Sequence, residues 1–303
     1  MRSPLIHIGY HKTATTWLQK RVFQPEHGYA SIADHAEIFD TVVRPHGLVF
    51  DPDPFRDMVI DRMAQTDPAL VPVVSSEILS GLPFAGGRES DTYAIRLHDA
   101  VPEALILITI RTQMRILPSV YMQYLFRGGR LDPKAFFAGE TEPGYFGFDP
   151  VHFEYDRLIA HYQGLFGRER VFVLTQESLV EDVDTAMARL AGFAGASRFE
   201  TLTSAARAVQ SASYPEAAAP LLRRTNHLRR TVLNPVPPFG AGTGQLLYRA
   251  AGRLWRSPPL ARRAKGIKPV SAVVKERFAG RFTQSNRRMA ELCENWVDLS
   301  AYD

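Results

Sequence analysis

The chain has one cysteine, Cys293, in 303 residues. A single cysteine forms no internal disulfide and builds no cysteine-based zinc site. No apolar run approaches the ~18 residues that a membrane-spanning helix needs. The first apolar stretch begins by about residue 4, too early for a charged segment followed by a signal-type apolar one, so the expectation is a cytoplasmic protein. No internal repeat is present. One long segment lacks acid: between Ala217 and Lys275 there is no Asp or Glu. The same segment carries Arg223, Arg224, Arg229, Arg230, Arg249, Arg253, Arg256, Arg262, Arg263, Lys265, Lys268 and Lys275. The net charge of the whole chain is only +4, so the imbalance is local. Such a block suits an anionic partner, a polyanionic substrate or a membrane surface before nucleic acid; a solvated helical face explains it equally well.

What is present is an ordinary globular composition, 45% hydrophobic and 22% charged, on a chain long enough for a sizeable core. Leu70 to Ser76, Ala104 to Ile110 and Arg170 to Thr175 read as buried strands, as does the run from Leu5. Continuous rather than alternating apolarity marks parallel strands covered on both faces. Helical stretches follow each of them: from Thr15, from Glu89 to Ala100, from Arg115 to Phe126, over 150–166, and from Glu181 to Phe193. A helical patch lies at Pro54–Ala64 in an otherwise broken segment, 25–68. The alternation predicts a three-layer α/β/α fold with a central, mainly parallel sheet, plus a helical C-terminal part. Residues 1–200 form the α/β core on this reading, and 201–303 the basic helical part packed on the same domain. The Pro/Gly run from Asn234 to Gly244 reads as a loop.

Ligands of such sheets sit at the carboxyl ends of the strands, and three strand ends carry polar groups. After Leu5-Ile6-His7-Ile8 comes Gly9-Tyr10-His11-Lys12-Thr13-Ala14-Thr15-Thr16-Trp17-Leu18. A strand, a short loop and a helix start bring backbone amides and the positive helix end to one spot. Lys12, Thr13, Thr15 and Thr16 add a cation and hydroxyl donors, so a phosphate suits the turn. A nucleotide-hydrolysing loop needs Gly-x-x-x-x-Gly-Lys-Ser/Thr. Here Lys12 comes too early, and no strand ends in a magnesium-holding acid. The strand 104–110 ends instead in Arg111, with Ser119 eight residues on. That spacing lets both face one phosphate, although Arg111 capping a carbonyl satisfies it too. The third end is Ser75-Ser76-Glu77.

These residues resemble a known family. Gly9 to Gln19 is similar to the 5′-phosphosulfate loop of sulfotransferases. Ile110-Arg111-Thr112-Gln113 with Ser119-Val120-Tyr121-Met122-Gln123 resembles their 3′-phosphate element, in a form similar to a bacterial branch. Val171 to Leu179 resembles the later strand and acidic turn. The resemblance spans about residues 4–195, in order. It implies transfer of a sulfuryl group from 3′-phosphoadenosine 5′-phosphosulfate (PAPS) to an acceptor hydroxyl or amine, with adenosine 3′,5′-bisphosphate (PAP) as product and no metal. On that match Lys12 binds the phosphosulfate and stabilises the leaving phosphate oxygen. His11, Thr13, Ala14, Thr15 and Thr16 line the 5′-phosphate cradle, Trp17 stacks on adenine or else is a helix residue packed on the sheet, and Arg111 and Ser119 bind the 3′-phosphate. Ala14 stands where the family usually has Gly, which restricts the backbone there.

An acceptor hydroxyl needs a general base within reach. Glu77, at the same rim as Lys12, is the first candidate, as in relatives with a similar Ser-Glu arrangement; as the bland alternative it caps the following turn. His11 and His98 are reserves, since other family members use a His. The acceptor itself is unread: an anionic glycan and a lipid both fit the basic block. The aromatics Phe136, Phe137, Tyr145, Phe146, Phe148, Phe153 and Tyr155 suit a sugar-stacking surface or core. Leu246-Leu247-Tyr248 and Leu254-Trp255 with interleaved Arg suit an anionic membrane. Residues 240–244 suit a lid or a plain connector. Two other functions compete: a P-loop kinase, disfavoured by the missing motif, and a non-catalytic anion-binding module using the basic segment.

Overall fold

In the computed structural model five parallel strands form one sheet: β1 (Leu5–His7), β2 (Tyr29–Ala33), β3 (Val71–Ser75), β4 (Leu105–Ile110) and β5 (Val171–Thr175). The structure describes residues 3–141, 143–207, 214–231, 233–236, 241–255, 257, 260, 262, 264, 266–293 and 300–302. The strand order is β2-β3-β1-β4-β5. β1 is therefore central, with His7 level with Ser75 of β3 on one side and with Leu107 of β4 on the other. Whatever follows β1 emerges between two other strand ends, where such sheets bind ligands.

The helices in chain order are α1 (Thr15–Trp17), α2 (His35–Ile38), α3 (Asp53–Gln65), α4 (Ser90–Ala100), α5 (Gln113–Phe126), α6 (Pro133–Ala138), α7 (Tyr155–Phe166), α8 (Gln176–Glu181), α9 (Val183–Ala194), α10 (Ser204–Arg207), α11 (Ala219–Asn226) and α12 (Ala241–Leu254). Two more run over Pro269–Phe278 and Thr283–Leu292. α1 continues into a wider turn at Leu18–Val22.

The period of two along each strand separates two cores. Ile6, Val74, Ile106, Ile108 and Val173 face the larger one, built with α3, α4, α5 and α7. Leu5, Val73, Leu107, Phe172 and Leu174 face the smaller one, built with Leu18, Val22 and the apolar side of α9. The result is the three-layer arrangement expected, with the five strands of the sheet all parallel. The Pro269–Phe278 helix packs on α5 and Thr283–Leu292 on α7, which adds Val270, Val274, Phe278 and Met289 to the larger core.

The structure departs from the sequence reading in two places. A fifth strand, β2, lies in the segment read as broken, and it ends in a capping box in which Asp34 accepts from Glu37 N and Glu37 accepts from Asp34 N. The run read as a loop to Gly244 is helical from Ala241, the first residue of α12; Pro237 to Gly240 of that run lie outside the described residues. Two glycines in four residues argue against helix on propensity, but Gly244 packs against the Leu228 and Arg229 backbone, where no side chain fits.

Gly9 shows how closely β1 and β4 approach at the rim. A Cβ there would overlap Thr109 Oγ1 and His7 Nε2. Gly9→Ala should therefore cost about 1–3 kcal/mol of stability, the usual cost of overpacking, read as a lower denaturant midpoint. An unchanged midpoint would refute the close approach.

Candidate functional site

A chain of buried hydrogen bonds ties the three central strand ends together. His7 Nδ1 lies 2.8 Å from Ser75 Oγ on β3, and His7 Nε2 lies 3.1 Å from Thr109 Oγ1 on β4. Thr109 Oγ1 is 2.7 Å from Thr13 Oγ1 in the loop after β1. The proton directions follow from the two ends. Thr13 Oγ1 donates to the Tyr10 carbonyl at 2.5 Å, so it accepts from Thr109. Thr109 in turn accepts from His7 Nε2–H. At the other end Gln19 Nε2 donates to Ser75 Oγ at 3.1 Å, and Ser75 donates to His7 Nδ1. Because Thr109 gives its own proton to Thr13, His7 Nε2 must carry one, and in the neutral ring Nδ1 then accepts from Ser75. Burial pushes the His7 pKa down to about 3 in the same sense.

Above this chain sits the loop Tyr10 to Ala14. Lys12 (φ 72°) and Ala14 (φ 68°) are the two non-glycine residues with positive φ among the described residues. The expectation that Ala14 occupies a glycine-type position thus has a structural basis. Trp17 N and Leu18 N both donate to the Ala14 carbonyl, at 2.9 and 3.0 Å. The helix therefore begins where the loop ends, with the preceding amides outside its ladder. Thr13 and Thr15 are buried and Thr16 is exposed. Thr15 Oγ1 is buried with no hydrogen-bond partner. Trp17 packs against the smaller core, and its indole N–H donates to the Ala206 carbonyl at 2.7 Å.

At the β4 end, Arg111 Nη1 donates to Ser119 Oγ at 3.3 Å, so the eight-residue spacing does bring the two together. Ser119 Oγ also donates to the Arg115 carbonyl at 3.2 Å. Both side chains line an open cavity of about 560 Å³ with Arg115, Met122, Tyr214 and Lys268. The exit of β4 is clamped from behind. Glu177 Oε1 accepts from Thr112 N and Oγ1 at 3.2 and 3.1 Å, and Glu177 Oε2 accepts from Tyr302 OH at 3.1 Å. Tyr155 OH donates to the Arg111 carbonyl at 2.7 Å.

Electrostatics join the two ends. Burial, then the Arg111 charge, lowers the Lys12 pKa, and Glu77 opposes them. Arg111 is itself lowered, chiefly by burial, with Glu177 opposing. Glu77 is half-buried at the start of a short turn after β3 (Glu77–Ser80). His11 lies between these groups. Burial pushes its pKa down to about 4; Glu77 pulls the other way, and Arg127, His35 and Lys12 add to the lowering. Its Nε2 is buried with no partner.

Three of these neighbours escape the sequence reading. His35 follows β2, and its Nδ1 lies 2.7 Å from Ser76 Oγ; the Asp34-x-x-Glu37 capping signal before a short apolar run was the available clue. Arg127 arrives at the end of α5, and His7 looked like one more strand residue. His98, the reserve base, instead stacks edge-on against Phe166 at 5.2 Å, between α4 and α7. Phe136, Phe137, Phe148, Phe153 and Tyr155 are core, while Tyr145 and Phe146 are exposed. No group of three or more His, Cys, Asp or Glu side chains suited to a metal ion occurs among the described residues. Nor is any helix among them long and apolar enough to cross a membrane.

The buried histidines set a pH dependence. His7 and His152 each have a pKa lowered by burial from 6.5 to about 3. As pH falls below 6.5 the unfolded chain takes up these protons and the folded one does not until about pH 3. Stability therefore falls by about 1.4 kcal/mol per pH unit for each histidine across that window. Denaturant midpoints measured from pH 7 down to 4.5 should drop accordingly, and His152→Gln should show a shallower slope. Parallel curves for the two proteins would refute the burial of a neutral His152.

No protein-family model matches the chain, and no curated protein sequence does. Solved structures do match. A sulfotransferase from Alicyclobacillus acidocaldarius superposes with a TM-score of 0.58 at 18% identity, covering 100% of this chain and 99% of that one. A mouse sulfotransferase, SULT7A1, complexed with PAP, covers 96% of this chain and 89% of its own at 11% identity; its TM-score of 0.34 is too low to place any residue. Along its whole length, then, the chain has the α/β fold of the Alicyclobacillus sulfotransferase.

Proposed function

We propose that the chain transfers the sulfuryl group of PAPS to an acceptor hydroxyl and releases PAP. One observation carries the reading: Lys12 and Arg111, from the ends of neighbouring parallel strands, crowd their charges at one partly desolvated rim beside the Glu77 carboxylate. Each cation is there at a cost, visible as a lowered pKa, and an anion between them relieves it. PAPS is anionic at two places, which suits two cradles rather than one. The whole-length fold likeness to a sulfotransferase supports the reading.

The residues fit the donor. The Lys12 to Thr16 loop offers a cation, a helix start and an unpartnered buried hydroxyl on Thr15 to a 5′-phosphosulfate. Arg111 and Ser119 face the cavity in which a 3′-phosphate and its nucleoside would lie, and Arg115 and Lys268 add charge there. On this reading residues 1–200 are the donor-binding core, and 201–303 close the cavity with Tyr214, Lys268 and Ser271. Trp17, packed on the smaller core with its indole N–H on the Ala206 carbonyl, is not among the residues lining that cavity.

In the reaction the S–O bond to the donor phosphate breaks as one forms to the acceptor oxygen. Lys12 neutralises the charge that gathers on the leaving phosphate oxygen, the kind of positioning and charge stabilisation on which such transfers depend. Glu77 accepts the acceptor's proton. His11, neutral because it is buried, is held beside it and orients the acceptor through its unpartnered Nε2. A carbohydrate or lipid hydroxyl is the acceptor class these groups suit.

Calorimetry tests the donor. PAP should bind more tightly than the 5′-monophosphate, and Arg111→Ala should abolish the difference. Equal affinities in the native protein would sink the assignment. Lys12→Ala should lose about 10²–10³ in rate. For the base, Glu77→Gln should lose rate while PAP affinity holds; a normal rate would transfer the role to His11.

A further inference from the structure

The acid-free segment contains a surface that the donor reading does not use. α12 buries Tyr248 and Ala251. Tyr248 lies 6.2 Å from the Tyr214 ring, under the Arg229 guanidinium at 4.5 Å. The opposite face is open. Leu246, Ala250 and Leu254 follow one another at one-turn spacing and are exposed, the two leucines at 69% and 52%. Leu247 flanks them at 42%, and Arg249 and Arg253 run along the other side, both exposed. Nearby in sequence, Leu233, Val236 and Ile267 are also exposed. Single exposed leucines are ordinary, but a row of them on one helix face is not.

We infer that α12 docks the protein on an anionic membrane surface. Its leucines enter the boundary between headgroups and acyl chains, and its arginines lie against acidic headgroups. Charge complementarity selects this occupant: no Asp or Glu lies between Ala217 and Lys275, so nothing in the segment repels an acidic bilayer. A polyanionic glycan or nucleic acid would use the arginines but leave the leucine row in water. Since no helix among the described residues crosses a membrane, the contact is peripheral. It also has a consequence for the cavity. Tyr214 lines it and packs on the buried face of α12, as a Cβ at Gly252 would meet the Tyr214 ring. Docking therefore holds the Arg111 cavity one helix away from the bilayer.

Vesicle co-sedimentation tests this without reference to sulfuryl transfer. The full chain should bind phosphatidylcholine vesicles containing about 30% phosphatidylserine and not pure phosphatidylcholine. Binding should weaken when salt is raised to about 0.5 M. Leu246→Ser with Leu254→Ser should reduce it about tenfold, as should Arg249→Glu with Arg253→Glu. All these positions are exposed, and a thermal melt verifies that each variant folds. Absence of binding to acidic vesicles overturns the inference, as does equal binding to neutral ones. So does a leucine variant that binds as the native chain does while a sulfated polysaccharide competes, which would make the face a glycan surface.

Discussion

The hydrogen-bond chain through His7 is the constraint on which the rim depends. It crosses three strands and ends on the loop that carries Lys12. Each link contributes only about 1 kcal/mol net, but the links share one proton direction, so none reverses without leaving a buried group unpaired. Gly9 is required because the chain brings His7 and Thr109 to the place where its side chain would be. Thr13 is required as a hydroxyl because it must accept from Thr109 and donate to Tyr10 at once. A polar core under the Lys12 loop is a way of fixing backbone where apolar packing has no side chains to grip.

A second brace serves the other cation. The Arg111 carbonyl and the Thr112 amide are both held, by Tyr155 and by Glu177, and Glu177 is held by Tyr302 near the far end of the chain. Gln113 continues the brace, donating to Asn286 Oδ1 at 2.8 Å on the helix Thr283–Leu292. Arg111 thus projects from a braced backbone, while its guanidinium donates to Ser119 at the cavity wall. The rigid part is the frame, and the charged group is left to the cavity.

The order of strands and loops was legible because continuous apolar runs carry it: Leu105 to Ile110 can be little else than a buried strand. The Lys12 loop and the Arg111–Ser119 pair were legible because they are local, each within one turn-and-helix unit. What was not legible depends on crossing the sheet. His7 reads as an odd residue in a strand until β3 and β4 are set beside it, since its partners lie 68 and 102 residues away. β2 sits at the edge and has only Tyr29 and Ile32 as large apolar residues, too few to show a period. Arg127 and His35 reach His11 only through the fold. The helical start of α12 defeated propensity because close backbone packing, which favours glycine, is a tertiary matter.

Two non-glycine residues in the left-handed region within three positions need a reason. Each costs about 1–2 kcal/mol relative to an ordinary conformation. Such strain persists only where its surroundings fix it. Here the fixing is visible on both sides: Thr13, between Lys12 and Ala14, is pinned to Thr109 and Tyr10, and the Ala14 carbonyl receives two amides of the following helix. A glycine at position 14 would remove the strain but widen the conformations open to the unfolded chain. The alanine keeps the loop closer to one shape before any ligand arrives. A loop already bent to one form does not spend binding energy on ordering itself, which is what the highly charged donor proposed for this site would require.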